Sequence, residues 1–220
     1  MNPAENFFWN NDNIIDYFAE KPADPAIESR LDIFDRCIDT SSIKALDLGC
    51  GGGRHSELLA SRGYNLVAVD RNDSMISYTQ RRLGRLGLDA SYFQLSIENL
   101  ALKAESMDVV IATGVLHQAK SIENYEMAIS EVSRVMKKGG LLSMNIFTNY
   151  AWDESYRVPN DDEPWTVKTM EGLEMTLLSS AMFYNIADSY GLKKEDEISH
   201  DIKNENTGKR SVLKAHLIKN

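Results

Sequence analysis

The sequence predicts an α/β fold: a mostly parallel, seven-stranded sheet that ends in an antiparallel hairpin. Three observations carry this reading. Short apolar runs alternate with helical stretches of roughly 10–15 residues between positions 44 and 147, the signature of right-handed βαβ units. A glycine-rich turn, Gly49-Cys50-Gly51-Gly52-Gly53, separates the first apolar run from its helix. Two β-rich runs near the C-terminus flank Asn206-Thr207-Gly208, which reads as a hairpin turn.

Taken in order, 14–20 reads as a short helix, and Pro22 and Pro25 interrupt the chain after it. Ile27, Leu31, Phe34 and Ile38 recur at helical spacing, so 26–38 is an amphipathic helix. The first strand is 44–48. A helix follows over 55–61, with Gly63 suited to its left-handed C-terminal cap. The second strand, 65–69, ends at Asp70. The next helix runs over about 74–86, with Asp73 as N-cap and Gly87 as stop. The third and fourth strands are 90–95 and 107–112. The helix over 123–136 puts Tyr125, Ile129, Val132 and Met136 on one face and ends at Gly139-Gly140, before a fifth strand at 141–147. The periodicity then breaks. A helix is read over 177–190, stopped by Gly191, and the last two strands are 197–203 and 211–218.

Composition narrows the function. At 220 residues, 43% of them apolar, the chain suits one domain with a sizeable core. A net charge of −9 argues against a partner held by phosphate neutralisation, so no nucleic acid is expected. Cys37 and Cys50 form no disulfide framework, no CxxC pair suggests zinc, and no metal site is expected. Residues 1–13 lack the basic start and apolar core of a leader, and no run approaches the ~20 apolar residues of a membrane span. The expectation is a cytoplasmic protein without membrane contact, monomeric or homodimeric.

The chemistry centres on Ala45-Leu46-Asp47-Leu48-Gly49-Cys50-Gly51-Gly52-Gly53. Glycine there permits positive φ and close approach of a ligand to the backbone, and the following helix offers free N–H groups. A dinucleotide fingerprint needs glycine at the sixth position from Gly49, where Arg54 stands, and no Lys-Ser or Lys-Thr completes a phosphate loop. Asp47, two residues before the first glycine, is a poor neighbour for pyrophosphate and a good one for an ammonium or sulfonium. Asp70, 21 residues after Gly49, can accept both ribose hydroxyls. Together these features point to an adenosine with a cationic amino-acid tail and no phosphate.

ALDLGCGGGRH followed by LVAVD resembles the first motif and the acidic ribose-binding position of class I S-adenosylmethionine-dependent methyltransferases. SMDVVIATGVLH (106–117) resembles that family's fourth motif, and VMKKGGLL (135–142) the approach to its fifth strand. The resemblance spans about 43–147 and extends to small-molecule members of the family. It implies a Rossmann-like three-layer sandwich, with S-adenosylmethionine as cofactor and methyl transfer to a small-molecule acceptor. Gly49, Cys50 and Gly51 would pass the methionine tail, Asp47 would orient its ammonium, and Asp70 would hold the ribose. Arg71 and Met75 would flank the adenine, and Ser96 and Ile97 would read its edge. The family often has Asp where Ser96 stands. Thr113 would meet the methionine portion through its carbonyl, and Tyr17 would close over the carboxylate.

His117 follows the fourth strand, where a substrate would lie. It could be a general base, or a group that orients structure or cofactor. His55 reads as helix-start packing or a ligand contact, and His200 and His216 as strand residues. Trp152, Tyr156 and Trp165 could line an acceptor pocket or form a packed cap, and Phe7, Phe8 and Trp9 could cover the site. Asp153, Glu154, Asp161, Asp162 and Glu163 read as a solvated charge run or a lure for a cationic acceptor. The chain thus divides into a helical cap (1–40), a cofactor-binding core (43–147), an acceptor-site insertion (148–176) and a C-terminal helix and hairpin (177–220). A non-catalytic S-adenosylmethionine-binding sensor or partner protein is the alternative to an enzyme. A dinucleotide oxidoreductase is disfavoured by Arg54 and Asp47. A nucleic-acid methyltransferase is disfavoured by Thr113-Gly114-Val115-Leu116, standing where an Asn-Pro-Pro-Tyr-type motif would be.

Overall fold

The computed structural model describes residues 8–37, 39–152, 163–169, 172–205 and 208–220. Helix α1 (Asp12–Glu20) is capped by the side chain of Asn11, which accepts from the Asn13 N–H. Helix α2 is Pro25–Phe34, with Asp24 as N-cap and proline in the first turn, where its missing N–H costs nothing. It ends four residues before the expected boundary, in a 3₁₀ turn over Asp35–Cys37, and Ile38 lies outside the described residues. Strand β1 (Lys44–Leu48), α3 (Arg54–Ser61), β2 (Asn65–Asp70), α4 (Asp73–Arg85), β3 (Ser91–Gln94) and β4 (Met107–Thr113) follow in the order expected. The N-cap of α4 is Asn72, not Asp73: the Asn72 side chain accepts from the Ser74 N–H at 2.9 Å.

Helix α5 (Ile122–Val135) stops before Gly139-Gly140. Met136 leaves the helix because it pairs with Met107, beginning β5 (Met136–Trp152) ahead of a register shift. Two short strands, β6 (Trp165–Lys168) and β7 (Glu174–Leu177), form a separate antiparallel pair. The C-terminal helix α6 is therefore Ser180–Ser189, capped by Ser179, and starts later than the sequence suggests. β8 (Leu192–Glu205) and β9 (Gly208–Lys219) make the hairpin; Asn206 and Thr207 lie outside the described residues.

The main sheet has seven strands in the order β3-β2-β1-β4-β5-β9-β8, parallel up to β5, with β9 antiparallel to both neighbours. One face is covered by α5 and α6 through Tyr125, Ile129, Val132 and Phe183. The other is covered by α2, α3 and α4 through Ile27, Leu31, Leu59 and Leu83. This is the three-layer α/β sandwich. The chain runs outward from β1 to β2 and β3, then returns to place β4 on the other side of β1. The reversal opens a crevice at the carboxyl ends of β1 and β4, where connections leave in opposite directions. Among the described residues no helix is long and apolar enough to cross a membrane.

Candidate functional site

The crevice holds a cleft of about 250 Å³. Its floor is the turn after β1. The N–H groups of Gly49 and Cys50 both donate to the Val69 carbonyl, at 2.8 and 2.9 Å, so the turn folds over the end of β2. Gly49 has φ +71°, and a Cβ there would lie 2.6 Å from a Val115 methyl, so glycine is required for both conformation and space. Gly52 is required for approach: a Cβ would lie 2.5 Å from the Cα of Ala19, because α1 packs directly on the loop. Arg82 fastens that contact, donating to the carbonyls of Ala19 (2.6 Å) and Gly52 (3.1 Å) while pairing with Glu57.

Asp70, at the end of β2, accepts from the Gly51 N–H (3.0 Å) through one oxygen and the Asn72 N–H (2.9 Å) through the other. Each oxygen keeps a further lone pair for a ligand in the cleft. Burial pushes this carboxyl above its ordinary value, against the pull of those two N–H groups. Asp47 is 1% exposed and is not among the residues lining the cleft. It accepts from the Ser56 hydroxyl at 2.6 Å, and burial lifts its pKa to about 6. Its negative charge therefore lies behind the loop.

Gly49, Cys50, Gly51, Asp70, Arg71, Met75, Ser96, Ile97, Thr113 and His117 all line the one cleft. Tyr17 does not. Its ring meets Phe18 and the Lys21 ammonium, and it is Phe18 and Lys21 that line the cleft from α1. Burial of Ile15 and Ala19 fixes that rotation of the helix. Phe8 and Trp9 also line the cleft. Trp165 packs instead with Val167, Leu173, Met175 and Leu177, beside Phe8, Trp9 and Phe147. Glu163 is exposed. Phe7, Tyr156, Asp153, Glu154, Asp161, Asp162 and the Trp152 side chain lie outside the described residues.

Several lining residues carry no motif. Glu98 bonds the Ser96 hydroxyl in the turn after β3, two residues beyond the expected adenine-edge position. Asn145 and Phe147 sit on β5, at and just past the end of β4, and strand-end position alone could have found them. Gln118 donates to the Gly114 carbonyl at 2.8 Å. Leu173, just before β7, and Met175 within it come from the small sheet and its turn, which no periodicity announces.

Two histidines border the cleft. Nε2 of His55 accepts from the Asp24 N–H (3.3 Å), and its Nδ1 faces the Thr113 hydroxyl at 3.1 Å. Nδ1 of His117 accepts from the Phe147 N–H at 3.1 Å, and its ring stacks on Phe147, centroids 4.3 Å apart. Burial holds the pKa of each down at about 3, so both are neutral. His200 and His216 stand on β8 and β9, bonded to Thr148 and Ser211 and to Ser143, and do not line the cleft.

Residues 46–144 match the methyltransferase domain family. The chain is 30% identical over 121 residues to a ubiquinone biosynthesis O-methyltransferase of Dechloromonas aromatica, covering 54% of this chain and 51% of that one. The chain thus spans about half the length of the curated relatives it matches. A SAM-dependent methyltransferase of Methanosarcina mazei shares the fold, with TM-score 0.71 and 18% identity over 90% of this chain and 99% of that one. So does the 1,6-didemethyltoxoflavin-N1-methyltransferase of Burkholderia thailandensis, solved with bound S-adenosylhomocysteine, with TM-score 0.62 and 13% identity over 89% and 86% of the two chains.

Proposed function

We propose that the protein binds S-adenosylmethionine in this cleft and transfers its methyl group to a small-molecule acceptor. The observation that carries the reading is Asp70, half-buried at the end of β2 and clamped to the glycine loop through Gly51, with lone pairs left to face a ribose. Two carboxylates stand at that loop, Asp70 bonded to the Gly51 N–H and Asp47 to Ser56 behind it, and both oppose a pyrophosphate. The same charges suit a cationic amino-acid tail.

In this reading Asp70 takes the ribose hydroxyls. Arg71 and Met75 flank the adenine. The Ile97 N–H and the Ser96–Glu98 pair meet its edge, with Glu98 supplying a carboxylate acceptor for the exocyclic amine. Gly49, Cys50, Gly51 and the Thr113 carbonyl pass the amino-acid tail, and Asp47 acts on its ammonium from behind the loop. The donor brings a methyl group activated by a sulfonium, so the chain's own task is alignment and exclusion of water. Phe8, Trp9 and Phe18 supply the cover, and Phe147, Leu173 and Met175 wall the acceptor half.

Calorimetry with S-adenosylmethionine, S-adenosylhomocysteine and NAD tests this on wild type and Asp70→Ala. The sulfur ligands should bind and NAD should not. Losing two hydrogen bonds to a charged acceptor, at roughly 1.5 kcal/mol each, should weaken them about 100-fold in the variant. Preference for NAD, or equal binding by folded Asp70→Ala, would overturn the proposal.

A further inference from the structure

The proton inventory of the acceptor half narrows the acceptor's chemistry, resting on the reading just given. A neutral imidazole has one N–H and one lone pair. The Phe147 N–H, fixed in strand β5, points its proton at Nδ1 of His117, so Nδ1 holds the lone pair and Nε2 the proton. A general base needs a lone pair free to face the substrate. His117 has none to offer and presents an N–H instead. Arg210 on β9 is the charged group that acts on the ring, and it opposes a second proton.

The other candidates fail as bases for separate reasons. Both nitrogens of His55 are engaged, by Asp24 and Thr113. Burial pushes the Cys50 thiol well above its usual range. Asp47 lies behind the loop. Asp70 and Glu98 belong to the nucleoside end. A second N–H, the indole Nε1 of Trp9 in the cover, is buried with no partner among the described residues. Among the described residues, the wall around His117 offers a donor and no base.

An acceptor atom met by a donor must spend a lone pair on it. A nitrogen with a single lone pair would be blocked. An oxygen accepts the hydrogen bond and attacks with another pair, and it is a far better partner for N–H than sulfur. With no base among the described residues of this wall, the oxygen is taken to arrive already without its proton. Lys21 and Arg54 add positive charge to the cleft lining, and Trp9 and Phe147 add aromatic surface that suits a flat apolar body.

We propose that the acceptor is an ionised oxygen on a flat apolar body, of the phenolate or enolate type, and that His117 positions it by donating from Nε2 without removing a proton. The oxygen's free pair forms the bond to the methyl carbon as the carbon–sulfur bond breaks with its pair left on sulfur. The anionic oxygen becomes a neutral ether, the sulfonium becomes a neutral thioether, and no proton moves.

Long-range ¹⁵N–¹H correlation spectra of the protein saturated with S-adenosylhomocysteine test the proton position. His117, assigned by loss of its signals in His117→Gln, should show a protonated Nε2, a bare Nδ1 and no titration between about pH 5 and 8. A protonated Nδ1, or titration in that window, overturns the proposal. The same saturated protein is then mixed with 4-nitrophenol, whose bound ionisation state is read from its visible absorbance. The phenolate should bind in preference to the phenol. His117→Phe should weaken binding about tenfold, and His117→Gln, which keeps an N–H, should restore most of it. Preference for the phenol, or no loss in His117→Phe, refutes donation. Affinity for S-adenosylhomocysteine itself reports separately on the cofactor site.

Discussion

Asp47 is the site's most consequential buried charge, and Asp47→Asn separates its role in binding from its cost to folding. Its carboxyl is lifted from 3.8 to about 6, chiefly by burial, with the Ser56 hydroxyl and the Arg54 charge pulling back and Asp70 pushing further. A lift of that size makes the ionised form about 3 kcal/mol less favourable in the folded protein than in the unfolded chain. At pH 8 the carboxyl is ionised in both states, so the folded protein bears the whole cost. As pH falls through 6 toward 4, the folded protein takes up a proton that the unfolded chain does not, and wild-type stability climbs. Asparagine carries no charge and can still accept from Ser56. Asp47→Asn should therefore raise Tm at pH 8 by about 6 °C, and by less than about 2 °C at pH 4.5, in scanning calorimetry. The same variant should bind S-adenosylhomocysteine about tenfold more weakly at pH 8, because the ammonium loses its counter-charge. A variant less stable than wild type at pH 8, or a gain equal at both pH values, would refute the reasoning.

The other perturbations concern the cover over the cleft. Gly52→Ala should drive α1 from the loop, since the new Cβ meets backbone atoms of Ala19 at 2.5 and 2.7 Å. Overpacking of this kind costs about 1–3 kcal/mol, and faster hydrogen exchange across 12–20 with core amides unchanged would confirm it; unchanged exchange would count against the docking. Phe18→Ala should weaken S-adenosylhomocysteine binding about tenfold by opening the apolar wall, whereas Tyr17→Phe should leave it within about twofold, as titration calorimetry would show. The reverse order would mean that α1 presents its other face to the ligand.

The glycine run between β1 and α3, the strand-ending Asp70 and the alternation of strands and helices were legible because each is a local requirement. Gly49 must adopt positive φ, and the buried faces of α5 and β4 must be apolar wherever the chain goes next. The limits of local reading show at particular residues. Met136 looked helical by spacing and is a strand residue, because Met107 lies beside it. Leu177 looked like the start of a helix and ends a strand, because 165–168 supplies a partner that no short window contains. Tyr17 and Phe18 are neighbours on one helix, and only the seating of Ala19 on Gly52 decides which of them faces the cleft.

The sequence by itself determined the class of fold and the part of the cleft lining that follows β1, β2 and β4, since motif spacing and strand ends carry that information along the chain. Only the tertiary structure decided the opposite wall. There the deciding facts are a backbone N–H on β5 that sets the proton of a histidine after β4, and apolar walls gathered from the N-terminal segment and a small separate sheet. Such contacts join residues up to some 165 positions apart, as Phe8 and Leu173 are, and they arise from packing that no local propensity encodes.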